Sequence, residues 1–78
     1  MENIDERIKD VMSAVFGVDA DTINEDSSQD NIEEWESIKT LDLIVALEEE
    51  FGVTIPLEEV GNMTNFKYIR LMMAELAT

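Results

Sequence analysis

Apolar side chains recur at a helical interval almost from the start of the chain. Ile4, Ile8, Val11, Met12, Val15 and Phe16 fall at i, i+4, i+7, i+8, i+11 and i+12, the spacing that lays one apolar stripe along an α-helix. Asn3 precedes the run and Glu6 follows three positions later, a capping box with Asn in place of Ser or Thr. Gly17 is a natural stop, because glycine accepts the left-handed backbone that closes a helix. These signals predict a helix over residues 4–16.

Residues 17–36 carry no helical period and hold eight acidic residues without a Lys or Arg. A connection of this length inside a small domain is ordinarily functional or disordered. The isolated apolar residues Val18, Ile23, Ile32 and Trp35 favour an ordered connection pinned to the core. A calcium loop beginning at Asp19 is a poor match. Asn24 stands where the sharp-turn glycine belongs, and Asp30 stands where the bidentate glutamate belongs.

Residues 37–52 predict the strongest helix. At about 100° per residue, Lys39, Asp42, Ala46, Glu49 and Glu50 crowd one sector, while Ile38, Leu41, Leu43, Ile44, Val45, Leu47 and Phe51 cover most of the remainder. So wide an apolar arc exceeds what one neighbouring helix buries. Either several elements pack on it, or part of it stays exposed for a partner. Gly52 closes the helix. Residues 53–55 read as extended, since Pro56 biases Ile55 away from helix. Pro56 then opens a short helical turn through Val60, ended by Gly61. Thr64 or Asn65 caps a last helix in which Phe66, Ile69, Met73 and Leu76 share a face. The expected fold is all-α: a four-helix bundle of three longer helices and one short one, with a long loop between the first and second. One domain spanning residues 1–78 is expected.

Charge narrows the partners. Five basic against nineteen acidic residues give a formal net charge of −14. Nucleic acid and anionic membrane surfaces are therefore poor partners, and basic protein faces are good ones. The chain has no Cys and no His, which excludes disulfides, thiolate catalysis and the commonest general base and transition-metal ligand. The longest apolar run, residues 43–47, is far too short to span a membrane. The first residues show no basic n-region or apolar h-region, so a cytoplasmic location is expected.

No catalytic set emerges. Ser37 and Lys39 are two residues apart and do not face each other on a helix, and carboxylates are too abundant for any pair to be informative. The chain is not expected to be an enzyme, and no metal site is expected. Ser37 stands out by position, at the junction of the acidic loop and the strong helix in Glu34-Trp35-Glu36-Ser37-Ile38. It reads as an N-cap serine, and also as an attachment point, since a phosphate ester there meets free N–H groups and the positive end of the helix dipole. The two readings are compatible.

Glu36-Ser37-Ile38, the following Leu41-Asp42-Leu43-Ile44-Val45-Ala46-Leu47, the Glu48-Glu49-Glu50-Phe51 run and the Ile55-Pro56 step resemble the acyl carrier protein family. The likeness extends back through Ile4-Asp5-Glu6-Arg7 and Phe16-Gly17-Val18 and forward through Met63-Thr64-Asn65. The resemblance implies a 4′-phosphopantetheine arm on Ser37, next to Glu36, installed by a separate phosphopantetheinyl transferase. The arm's thiol would hold an acyl group as a thioester, and partner enzymes would supply the catalysis.

The second helix would be the recognition element. Ile38, Leu41 and Val45 would form an apolar patch, Asp42, Glu48 and Glu49 would meet basic surfaces of acyl-transferring, synthase or ligase enzymes, and Lys39 would modulate that choice. Leu47, Phe51, Ile55, Val60, Met63 and Tyr68 would line a space for the acyl chain. A monomer is implied. Glu36 in place of the family's usual Asp, Lys39 in place of an acid or neutral residue, and Trp35 in place of a small residue point from housekeeping fatty-acid synthesis towards a specialised acyl pathway. An aminoacyl, D-alanyl or peptidyl carrier is the nearest alternative; an unmodified interaction module is another.

The acidic excess carries its own expected outcome. Crowded like charges favour protonation in the folded state, so the folded form binds more protons than the unfolded one and stability falls as pH rises through about 4 to 6. In thermal melts at pH 7, added NaCl should raise Tm, and Mg²⁺ or Ca²⁺ at equal ionic strength should raise it further. A Tm that is unchanged by salt, by divalent ions and by a shift to pH 5.5 would show that self-repulsion does not limit this fold.

Overall fold

The first helix, α1, runs Ile4–Phe16, as its period predicts. The Glu6 amide donates to Asn3 Oδ1 at 2.9 Å, and Gly17 closes the helix at φ 73°, in the left-handed region that only glycine enters without strain. The computed structural model describes residues 3–77, with the side chain of Ser37 outside that description. A one-turn 3₁₀ segment, Ala20–Thr22, interrupts the long connection. Then follow α2 (Ser37–Phe51), a 3₁₀ helix (Leu57–Asn62) and α3 (Phe66–Leu76). The all-α, four-helix expectation is borne out. Among the described residues no strand forms, and the one isolated bridge pairs Ser28 with Asn65.

Three local expectations are corrected. Ser37 is not the N-cap of α2: the Thr40 amide donates to the Glu36 carbonyl at 2.9 Å, so Glu36 occupies the cap position and Ser37 is the first helical residue. Pro56 precedes the 3₁₀ helix rather than opening it, because its ψ of 137° is extended. Gly61 does not end that helix, which continues to Asn62. Among the described glycines only Gly17 and Gly52 take a positive φ, so Gly61 lacks the left-handed turn that stops a helix. Of the two candidate caps for α3, Asn65 serves: its Oδ1 accepts the Tyr68 amide at 2.8 Å.

α1 is the hub, packing on α2, on α3 and on the first 3₁₀ segment, while α2 also packs on the second. The core combines Ile8, Met12 and Phe16 of α1 with Leu43, Ile44 and Leu47 of α2 and Phe66, Ile69 and Met73 of α3. The long connection is ordered from both sides. Ile23 and Trp35 enter the core, and the Trp35 ring lies 5.1 Å from Phe16 between centroids. The Trp35 indole N–H has no acceptor among the described residues, so ring packing holds it there.

Short polar side chains tie the rest of the loop. Ser27 Oγ accepts the Asn24 amide at 2.9 Å, Asn31 Oδ1 accepts the Ser28 amide at 2.9 Å, and Asn31 Nδ2 donates to the Asp26 carbonyl at 2.7 Å. Two backbone bonds then fasten the loop to the start of α3: Phe66 N–H to Ser27 O at 2.9 Å and Gln29 N–H to Thr64 O at 3.0 Å.

The packing makes a direct forecast. Leu47 is wholly buried, so Leu47→Ala should cost about 2–5 kcal/mol in urea unfolding. Leu57 is 87% exposed, so Leu57→Ala should stay within about 0.5 kcal/mol of wild type. Comparable losses at the two sites would contradict this core.

Candidate functional site

The wide apolar arc of α2 is divided in two. Leu43, Ile44 and Leu47 are buried, while Ile38, Leu41 and Val45 remain 70%, 56% and 55% exposed. Both outcomes that the pattern left open thus hold at once: several elements cover part of the arc, and the rest faces solvent. The exposed three sit at i, i+3 and i+7, on one side of the helix. Asp42 and Glu49 are exposed on the same side. Glu48 has a different job: its Oε2 accepts the Ile55 amide at 2.8 Å and so fastens the extended segment after α2 to the helix.

The N-terminus of α2 points anion-receptive groups at the same region. Glu36 caps by position but makes no side-chain cap bond, so the first-turn amides gain no acceptor from it, and the dipole's positive end is left for an anion. Thr40, one turn on, is buried, and its Oγ1 donates to the Glu36 carbonyl at 3.1 Å. The Ser37 backbone opens the helix; its side chain lies outside the described residues.

Beside these first turns lies a cleft of about 360 Å³ lined by Gln29, Thr40, Leu41, Val60, Gly61 and Thr64. Val60 is the one residue it shares with those singled out for an acyl space. Leu47, Ile55 and Met63 are core residues. Phe51 is half-buried beneath the Arg7 guanidinium, 4.2 Å from the ring centroid. Tyr68 is half-buried, and its hydroxyl donates to Glu59, joining α3 to the 3₁₀ helix. Gln29, Thr40 and Thr64 were not anticipated. Gln29 and Thr64 reach the cleft because the loop is stitched to the start of α3, a pairing across 35 residues that leaves no local pattern.

Both arginines are committed elsewhere. Arg7 Nη2 donates to the Glu50 carbonyl at 2.9 Å and to its carboxylate at 3.2 Å, locking the end of α2 to α1. Arg70 Nη1 reaches Glu25 at 2.9 Å and Asp5 at 3.4 Å, tying α3 to the loop and to α1. The hydrogen bond from Arg70, then its charge, hold the Glu25 carboxyl below the usual carboxylate range. A carboxylate lowered in this way supports the fold above its unfolded pKa, and that support fades on acidification. Among the described residues no cluster of three or more acidic side chains is placed to hold a metal ion, and no helix is long and apolar enough to cross a membrane.

The chain has a single tyrosine, which makes the α3 contact measurable. Hydrogen bonding to Glu59, then burial, raise the Tyr68 pKa above its ordinary value. Absorbance near 295 nm should titrate above about pH 10, and Glu59→Gln should move the midpoint down. The stability tied to this contact is complete below the unfolded tyrosine pKa and is lost as pH rises through the folded one. A wild-type midpoint at the free-tyrosine value would remove the contact.

A family model described as "Phosphopantetheine attachment site" matches residues 6–66, which takes in all but the first two residues of α1, the ordered loop, all of α2, the 3₁₀ helix after it and the first residue of α3.

Proposed function

The chain belongs to the phosphopantetheine attachment family, whose members carry 4′-phosphopantetheine covalently on a serine, and from that membership we propose that Ser37 is the attachment residue of an acyl carrier protein. Four serines lie in the matched span, and their surroundings discriminate among them. Ser13 donates to the Val18 carbonyl at the end of α1. Ser27 is buried and accepts the Asn24 amide. Ser28 Oγ accepts the Asp30 amide in a loop turn. Ser37 alone begins an α-helix whose next exposed residues form an apolar patch, and that position carries the proposal.

The residues present suit the group. The uncapped amide end of α2 favours a phosphodiester, and Glu36 stands beside the attachment point. The bound arm supplies a terminal thiol that holds an acyl group as a thioester. The chain's own residues present and shelter that group. Ile38, Leu41 and Val45 offer an apolar contact to a partner enzyme, and Asp42 and Glu49 steer basic partner surfaces towards it. The cleft between α2 and the 3₁₀ helix, walled by Leu41 and Val60, gives the acyl end an apolar resting place.

In this reading the protein is a non-catalytic, monomeric and cytoplasmic carrier. A phosphopantetheinyl transferase modifies it, and acyl-transferring, synthase or ligase enzymes of a fatty-acid, polyketide or other specialised acyl pathway load and unload it. The apolar wall of the cleft favours an acyl cargo over an aminoacyl one, and the intact mass of the loaded protein from its native cell separates the two.

Coexpression with a broad-specificity phosphopantetheinyl transferase should add one phosphopantetheine mass, mapped by peptide fragmentation to Ser37. Ser37→Ala should abolish the gain and leave unfolding within about 1 kcal/mol of wild type, because alanine is a good helix former and Ser37 makes no N-cap. Modification at another serine, or none with several transferases, would sink the assignment.

A further inference from the structure

The 3₁₀ helix Leu57–Asn62 is lightly anchored. None of its residues is buried, and no side chain caps its start. Its ends are held better than its middle. Ile55, just before it, is buried and its amide is bound by Glu48, and Met63, just after it, is wholly buried. A segment with pinned ends and few buried contacts is where a small domain opens locally.

The middle is gripped from α3. At about three residues per turn, Glu59 and Asn62 lie on one face of a 3₁₀ helix and Val60 lies about 120° round from them. On the first face the Tyr68 hydroxyl donates to Glu59, and the Asn62 side chain reaches the same hydroxyl. On the other, Val60 lines the cleft together with Leu41 of α2. Tyr68 and Glu59 are both half-buried, so their hydrogen bond is partly shielded from water and stronger for it. A contact made towards α3 therefore sets where the wall facing α2 stands.

We infer that the Tyr68–Glu59 hydrogen bond is a latch that fixes the width of the cleft and so limits the length of acyl chain it shelters. The inference rests on the carrier reading and deepens it by naming the residues that set cargo size. The cleft has a volume of about 360 Å³. A methylene group is comparable in size to a water molecule, about 30 Å³, so about twelve such groups are the most it takes. An octanoyl chain fits; a hexadecanoyl chain does not unless a wall moves. The Thr40–Leu41 wall belongs to α2, whose next residues, Leu43 and Ile44, are fixed in the core. The wall that yields is the 3₁₀ helix, and its swing away from α2 breaks the bond to Tyr68.

The probes are octanoyl and hexadecanoyl arms, installed from the acyl-coenzyme A by a broad-specificity phosphopantetheinyl transferase on wild type, Tyr68→Phe, Glu59→Ala and Glu59→Gln. Each loaded protein is melted against its own holo form without the acyl group, so that any stability lost to the substitution cancels. A sheltered chain raises Tm because it binds only the folded state. In wild type the octanoyl group should raise Tm by about 2 °C or more, and the hexadecanoyl group no further. In Tyr68→Phe and Glu59→Ala the hexadecanoyl gain should exceed the octanoyl gain by a similar margin. Glu59→Gln keeps an acceptor for the hydroxyl and should follow wild type. Hydrogen exchange on the unloaded proteins gives a readout that needs no arm: amides of residues 57–62 should exchange about tenfold faster in Tyr68→Phe, with those of α1 and α2 changed less.

Exchange that quickens equally throughout the chain would make Tyr68 an ordinary stabilising contact, and one chain-length profile shared by all four proteins would show that the contact does not limit cargo. Either result overturns the inference and leaves the carrier reading standing. A wild-type protein that no transferase loads would overturn both. Glu59→Ala decides the matter should Tyr68→Phe fold poorly.

Discussion

The fold and the site both depend on how much of α2 the rest of the chain can cover. The helix has more apolar surface than a domain of 78 residues has neighbours to bury. α1 and the 3₁₀ helix pack against it, and Leu43, Ile44 and Leu47 disappear into the core while Ile38, Leu41 and Val45 do not. Leaving three large aliphatic side chains in water forgoes about 1.5–3 kcal/mol for each that full burial would supply. A small domain sustains that cost only if the remaining core is well filled, and here α1, α3 and the loop residues Ile23 and Trp35 fill it.

That division explains the otherwise odd investment in the long connection. Twenty residues without a regular element would be a liability if they were loose. Instead they contribute two buried apolar side chains, Ile23 and Trp35, and a set of Asn and Ser hydrogen bonds, and they are joined to the start of α3 at two backbone contacts. The connection substitutes for a missing wall of the bundle. It also delivers Gln29 to the cleft beside the first turns of α2, so the structural solution and the site share residues.

Charge is deployed with the same division of labour. Arg7 and Arg70 are used as internal fasteners, each joining segments distant in sequence and each lying near an aromatic ring. Glu48 is drawn inward to hold the Ile55 amide. What remains exposed on the apolar-patch side of α2 is Asp42 and Glu49, two acids beside Ile38, Leu41 and Val45. The large acidic excess as a whole gives long-range attraction to basic surfaces.

Helical periodicity, glycine stops and the Asn caps are local properties, and they alone determined α1, α2 and α3 nearly to the residue. They also showed that α2 was too apolar to be buried whole, and placed a serine where its helix begins. Three features were beyond local signals. Which apolar residues of α2 remain exposed follows from where α1 and the 3₁₀ helix come to rest. Glu36 rather than Ser37 takes the cap position because the first i to i−4 bond starts at the Glu36 carbonyl, one residue earlier than side-chain preference suggests. The residues walling the cleft, Gln29 and Thr64 among them, meet only because the loop is hydrogen-bonded to the start of α3. The sequence by itself therefore determined the helices and the candidate serine, since those depend on neighbours within a few positions. The tertiary structure decided the exposed apolar face and the cleft, since those depend on contacts between segments tens of residues apart.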